Sequence, residues 1–128
     1  MVDETRISRE ILDAAIVVHR TLGGPGLLES VYRDSLVQEL RLRGIKVEKE
    51  VYIPVVYKGL KVGDPLRLDI LVEDSVIVEC KATEKDHSVF AAQTLTYLRL
   101  TGRHLGILIN FGKIKVFEGF RRIVNGYL

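Results

Sequence analysis

Residues 66 to 81 restrict the fold more than any other stretch of this chain. Leu66 to Val72 and Val76 to Lys81 are two runs rich in branched apolar residues, and Glu73-Asp74-Ser75 is the polar break between them. Branched side chains favour extended backbone, and so short a break joins antiparallel neighbours, which predicts a β-hairpin. With Val72 opposite Val76 around a three-residue loop, Asp69 falls opposite Glu79. Strand side chains alternate between faces, so Glu79 and Lys81 point the same way and share that face with Asp69. A slip of one residue would send the set to the other face. The register therefore gathers two carboxylates and an ammonium among Ile, Leu and Val. Carboxylates crowded in such surroundings repel each other and lose hydration, and a divalent cation is the natural way to keep both ionised.

The hairpin carries one recognisable pattern, and two further elements accompany it. Asp69 and Glu79-Cys80-Lys81 fit the pattern D…(D/E)xK, of which a lone Glu-x-Lys would be unspecific. Upstream stands Gly26-Leu27-Leu28-Glu29-Ser30-Val31-Tyr32, and downstream Gln93-Thr94-Leu95-Thr96-Tyr97. Together they resemble the PD-(D/E)XK nucleases, and within that superfamily the GxxExxY family, almost from end to end of the chain. The last element looks like the QxxxY element of the RecB-like and Cas4-like branch. One position departs from the pattern: Leu68 precedes Asp69, and the nearest proline is Pro65.

The resemblance implies a restriction-endonuclease-like α/β sandwich, with a central mixed sheet flanked by helices. It implies hydrolysis of phosphodiester bonds, with DNA as the expected substrate and Mg²⁺ or Mn²⁺ as cofactor. Asp69, Glu79 and the Cys80 backbone carbonyl would hold the ion, with Glu29 a further contributor to the site. Oxygen ligands suit these hard cations and a thiolate does not, so the Cys80 sulfur should point away, into the core. Lys81 would orient the attacking water or stabilise the transition state. Gln93 and Tyr97, four apart and stacked on one helical face, would line the floor beside Lys81. Two rival readings use the same residues: an ion-paired hairpin in which Lys81 merely neutralises Asp69 or Glu79, and a catalytically silent nuclease-like module that binds nucleic acid or protein. A zinc site built from His19, His87, His104 and Cys80 lacks metal-ligand spacing.

Along the chain, Ile11, Leu12, Ala15, Val18 and Leu22 recur at helical spacing over residues 7 to 22. Ser8 or Asp3 would cap this helix, and Gly23-Gly24-Pro25-Gly26 stops it. His19, near its end, reads as a surface or packing residue. A second helix is predicted over Leu28 to Arg43, with Val31, Tyr32, Leu36 and Leu40 on one face and Gly44 as its stop. Alone, Glu29 reads as an acid favoured by the helix dipole, and Tyr32 as packing against or orienting it. Lys46 to Tyr57 predicts a first strand with Val47, Val51, Ile53 and Val55 on one face; Pro54 argues for a sheet edge or a bulge. Ser88 would cap a third helix, Val89 to Thr101, closed by Gly102. The apolar run Leu105 to Asn110 suits the interior of a sheet. A shorter strand is expected over Ile114 to Phe117, followed by a tail containing Arg121, Arg122, Ile123, Val124 and Leu128. The predicted order is ααβββαββ.

A chain of 128 residues is long enough for one domain with a real core, and 1–128 is read as a single nuclease-like domain. No apolar run approaches the roughly 20 residues that span a bilayer, and the first residues carry no signal-peptide pattern. The single cysteine excludes an intrachain disulfide and fits a reducing compartment, so a cytoplasmic protein without a membrane partner is expected. Residues 1 to 81 hold 12 Lys+Arg against 14 Asp+Glu, whereas residues 82 to 128 hold 7 against 3. A basic C-terminal third beside an acidic site is compatible with gripping phosphates. Arg67, His87, Arg121 and Arg122 are the candidate nucleic-acid contacts, though each reads equally well as ordinary surface charge or a salt-bridge partner. The small surface leaves room for a homodimer or a partner protein.

Overall fold

The structure, a computed structural model, describes residues 2–126; Leu128, assigned above to the tail, lies outside them. The first helix, α1 (Glu4–Thr21), begins a turn before the apolar periodicity does. Its cap is Asp3, whose Oδ1 accepts a hydrogen bond from the Arg6 N–H at 3.1 Å, while Ser8 lies inside the helix. Ile7, Ile11, Ala14, Ala15 and Val18 form its buried stripe. A glycine-rich loop leads to α2 (Glu29–Leu42), which buries Tyr32, Leu36, Val37 and Leu40. Val31, expected on that face, is instead exposed.

The strands are β1 (Val47–Ile53), β2 (Val56–Tyr57), β3 (Leu60–Lys61), β4 (Leu66–Val72) and β5 (Val76–Lys81). They are followed by α3 (Ser88–Thr101), β6 (Leu105–Asn110), a 3-10 turn (Val116–Gly119) and β7 (Phe120–Val124). Five strands make one mixed sheet in the order β1-β4-β5-β6-β7, and β2 with β3 forms a separate small hairpin. Only the β5–β6 pair is parallel, and α3 is its crossover helix. On one face, α1 and α2 pack against Ile70, Val72, Val76, Val78, Cys80, Ile107 and Ile109. On the other, α3 buries Leu98 against Leu68, Leu71 and Ile77. The result is a three-layer α/β sandwich, restriction-endonuclease-like in its order of helices and main-sheet strands. None of the described helices is long and apolar enough to cross a membrane.

Two expectations are corrected. The first strand does not run to Tyr57: Pro54 donates nothing to a ladder, so β1 ends at Ile53 and the chain folds back into the β2–β3 hairpin. As Pro54 indicated, β1 is an edge strand. The last strand is not Ile114 to Phe117, where Ile114 and Phe117 are exposed around a 3-10 turn. It is β7, antiparallel to β6, so Arg121 and Arg122 belong to an edge strand and not to a tail.

Candidate active site

The hairpin register is the predicted one, with Val72 opposite Val76. Its ladder stops at Ile70↔Val78, one step short of Asp69 and Glu79. There the side chains take over from the backbone. The Asp69 N–H donates to Glu79 Oε2 at 2.9 Å, and the Cys80 N–H donates to Asp69 Oδ2 at 2.9 Å. Both carboxylates are almost fully buried, Asp69 at 5 % exposure and Glu79 at 4 %.

The other neighbour of β4 shows why the sheet opens here. Beside Asp69, Glu50 of β1 adopts a left-handed backbone with φ 55°, between the regular pairs Lys49↔Ile70 and Val51↔Leu68. The apolar alternation changes phase at this point. Val47, Ile70 and Val72 face the α1/α2 core, whereas Val51, Ile53, Leu66 and Leu68 pack on the α3 side. Val47 therefore does not share a face with Val51 and Ile53. A left-handed glutamate is uncommon and costly, and here it rotates the strand edge around the acidic pair.

Burial and the charge of Asp69 push the Glu79 carboxyl up to about 8. Lys81 does not cancel this charge by ion pairing: among the described residues no salt bridge joins it to Asp69 or Glu79. Its Nζ lies 4.7 Å from the centre of the Phe90 ring and 3.5 Å from Gln93 Oε1. The ion-paired hairpin is thus not what the chain builds. Arg67 Nη2 approaches Asp69 Oδ1 at 3.6 Å, a loose contact from an exposed side chain.

Glu29 opens α2, and burial followed by the charge of Asp69 raises its carboxyl above the ordinary range, with Lys81 opposing. It is thus within electrostatic reach of the pair. Burial and then the charge of Glu79 raise the Tyr97 phenol, which packs against the α3-side cluster of Leu68, Leu71, Ile77 and Leu98. Tyr32 is fully buried and anchors the loop ahead of Glu29. Its hydroxyl donates to the Gly24 carbonyl at 2.6 Å and accepts from the Leu27 N–H at 3.2 Å, while its ring stacks on Phe111 at 4.8 Å. The Cys80 side chain points into the α1/α2 core, as expected, and burial drives its thiol well above the usual range.

Other candidates lie further off. His87 is the exposed residue preceding α3 and meets the Phe90 ring edge-on at 5.2 Å. Arg121 and Arg122 point to opposite faces of β7, two strands or about 10 Å from β5. They do not join the carboxylates. His19 is buried, its Nε2 3.1 Å from the Phe111 carbonyl, a packing role.

Three contributors escaped the sequence reading. Arg33, one turn after Glu29 on α2, holds Glu50 at 3.2 Å and, with Lys81, opposes the rise of the Glu29 carboxyl. Its i+4 spacing was the available signal. Phe90 is the ring beneath the Lys81 ammonium. Asn110 ends β6 next to Lys81 and is buried. Its Oδ1 accepts from the Thr83 N–H at 3.0 Å and the Gly112 N–H at 2.9 Å, and its Nδ2 donates to Asp86 Oδ1 at 3.0 Å. Nothing local in the sequence marks this node, because its partners come together only when the sheet forms.

Among the described residues, no three His, Cys, Asp or Glu side chains converge as a cation site, so Glu29 does not complete a cluster with Asp69 and Glu79. The histidine–cysteine zinc arrangement is likewise not formed. Two carboxylates nevertheless suit Mg²⁺, which typically takes one or two and keeps several waters. Asp69 Oδ1 and Glu79 Oε1 are not used by the two backbone bonds. The Cys80 carbonyl leaves its strand on the same side as the N–H that meets Asp69. The donor set fits a hard cation.

An open α/β sandwich with paired acids at splayed central strands defines the class. A model of the PD-(D/E)XK nuclease superfamily matches residues 5–123, and the chain belongs to that superfamily. Among solved structures the fold is similar to the crystal structure of SSO0001, with a TM-score of 0.58 and 19 % identity. That similarity covers 77 % of this chain and 50 % of the other, so this chain spans about half its length, and the likeness is one of fold. No curated protein matches the chain in sequence.

Proposed function

We propose that the protein is a Mg²⁺- or Mn²⁺-dependent nuclease that hydrolyses phosphodiester bonds in DNA, of the GxxExxY family and the QxxxY, RecB/Cas4-like branch. One observation carries this reading. Two buried carboxylates stand together, each with one oxygen tied to the backbone, while among the described residues the neighbouring lysine forms a salt bridge with neither and rests on the Phe90 ring.

Asp69, Glu79 and the Cys80 carbonyl are the proposed cation ligands, with Glu29 as an outer acceptor. When bound, the cation polarises the scissile phosphate and lowers the pKa of its water. Lys81, steadied by Gln93 and the Phe90 ring, offers its ammonium to the attacking water or the developing charge on phosphorus. Tyr97, packed on the α3-side cluster, is the proposed orienting residue on the floor of the site. Arg67 is the nearest cation for the phosphate entering from the β1 edge. His87 contributes at the rim, and Arg121 and Arg122 only to longer-range attraction of the backbone. A homodimer or partner protein would enlarge the recognition surface, in a cytoplasmic setting.

The test is cleavage of linear, circular, single-stranded and branched DNA with Mg²⁺ or Mn²⁺, comparing wild type with Lys81→Ala and Asp69→Ala. Metal-dependent cutting that disappears in both variants is expected. No cutting of any substrate, together with no saturable Mn²⁺ binding by calorimetry, would replace this reading with a silent binding module.

A further inference from the structure

The β2–β3 hairpin stands at the surface, outside both buried clusters. Every residue from Val56 to Pro65 is exposed, yet the stretch keeps Val56, Tyr57, Leu60 and Val62 at the surface. Its shape is nonetheless specified. Lys58 and Gly59 both take positive φ, 49° and 85°, the signature of a tight two-residue hairpin turn, and the Val62 N–H donates to the Val55 carbonyl at 2.9 Å. A left-handed lysine is an unfavourable way to make such a turn. It leaves Lys58 Nζ 5.4 Å from the centre of the Tyr57 ring, and Tyr57 itself is 63 % exposed.

A second open tyrosine links the hairpin to the acids. Tyr52 is 61 % exposed and is the cross-strand partner of Arg67, so the two side chains stand together on the face away from α3. Arg67 in turn reaches to 3.6 Å from Asp69 Oδ1. Arg67 and Tyr52 thus stand next to the carboxylate pair, and Tyr57 and Lys58 lie in the hairpin that directly follows the Tyr52 strand. The lysines there are available: among the described residues, Lys58 and Lys61 form no salt bridge, whereas Lys49 is held by Asp34 at 3.3 Å.

We propose that Tyr52, Tyr57 and the flanking Arg67, Lys58 and Lys61 form a stacking platform for unpaired bases, so that the strand led into the site is single-stranded nucleic acid. Exposed rings with interleaved cations recognise single strands because every base has a face to stack, while the cations follow the phosphates. A duplex hides those faces. The platform concerns which substrate reaches the site and rests on the nuclease reading for what happens at Asp69, but it is measurable without turnover.

The test is binding of a fluorescently labelled oligothymidylate and of a blunt duplex of equal length, by anisotropy, in EDTA. Wild type is compared with Tyr52→Ala, Tyr57→Ala and the two Phe variants. The single strand should bind more tightly than the duplex. Each Ala variant should weaken single-strand binding by roughly 5- to 100-fold, the loss expected for one stacked base, and the Phe variants should retain it. Both positions are exposed, so unchanged thermal unfolding of the variants is expected to accompany the effect. Equal or tighter duplex binding, or Ala variants that bind as wild type does, overturns the platform. So does an Ala variant that converts a wild-type dimer to a monomer, since the face is then a contact between copies. Tyrosine-dependent single-strand binding without any metal-dependent cutting upholds the platform and removes the nuclease reading. Cutting without such a preference does the reverse.

Discussion

Asp69 and Glu79 complete the hairpin with side chains where its backbone ladder has ended: Glu79 Oε2 accepts from the Asp69 N–H, and Asp69 Oδ2 from the next N–H on the Glu79 strand, Cys80. The geometry keeps two acids buried in a gap that neither strand fills, and satisfies the N–H groups that the splayed strands leave open. It fixes the acids with backbone donors and not with a paired lysine. That choice favours a site over a stable core, since an apolar pair at these positions would pack without repulsion.

The pH dependence of stability should expose this. Burial and the Asp69 charge raise the Glu79 carboxyl from 4.5 to about 8. Between those values the folded protein holds a proton that the unfolded chain has released. Stability therefore falls as pH rises from about 4.5 to about 8. Glu79→Gln should flatten that slope in thermal melts without metal. A bound cation requires the carboxylate, so the gain in melting temperature from Mg²⁺ or Mn²⁺ should be larger near pH 8 than near pH 5. At about one hundred times the dissociation constant the gain corresponds to roughly 2.7 kcal/mol. An unchanged slope in Glu79→Gln would show that another group titrates.

Lys81 separates chemistry from folding. Among the described residues, the polar and cation–ring contacts of its ammonium are the Phe90 ring and Gln93, the latter at a long 3.5 Å. Lys81→Ala should thus shift stability by less than about 1 kcal/mol, within the range of weak cation–ring contacts. Cutting should fall by about 10² to 10³, as when one preorganised transition-state donor is removed. Urea unfolding and single-turnover cleavage on the same preparation measure the two effects. A large stability loss with proportionate activity loss would make Lys81 a structural residue.

Tyr32 ties the Gly26–Tyr32 stretch to the core through a ring stack and two hydrogen bonds of its hydroxyl, and Tyr32→Phe removes only the hydrogen bonds. The Phe111 stack at 4.8 Å remains, while the Gly24 carbonyl and Leu27 N–H lose the hydroxyl. A cost of roughly 1 kcal/mol in urea unfolding is expected. Because Leu27 and Leu28 precede Glu29, the loosened loop should also reduce cleavage, more than stability alone accounts for. Wild-type cleavage in Tyr32→Phe would confine the tyrosine to packing.

The legible parts of this molecule are those written in local patterns. The branched runs around Glu73 fix both the hairpin and its Val72↔Val76 register, and the buried stripes of α1 and α2 follow from 3.6-residue spacing. What stayed hidden depends on chain segments meeting. The left-handed Glu50 inverts the expected faces of β1, and propensity alone gives no reason for it. β7 carries two exposed arginines, so its alternation is weak, and its pairing with β6 decides it instead. That Lys81 ends β5 follows from the branched run, but its turn toward Phe90 depends on how α3 docks.

Asn110 is the strongest case of a residue visible only in three dimensions, and its removal should be costly. One buried amide satisfies the Thr83 and Gly112 N–H groups and holds Asp86, so it ties down the segment that follows Lys81. The backbone is drawn in tightly there: a methyl group at Gly112 would fall 2.1 Å from the Thr83 carbonyl oxygen. Asn110→Ala leaves two N–H groups without their acceptor, at about 1–3 kcal/mol for each one that stays buried. Gly112→Ala must displace the 82–87 segment itself, and should destabilise at least as much. Both variants should lose cleavage, because Phe111, between them, donates its N–H to the Lys81 carbonyl at 2.7 Å. Urea unfolding of the two variants, with cleavage measured at a temperature where both are folded, separates the effects. If both are destabilised yet cut at the wild-type rate, the node supports the fold alone and Lys81 is positioned by α3.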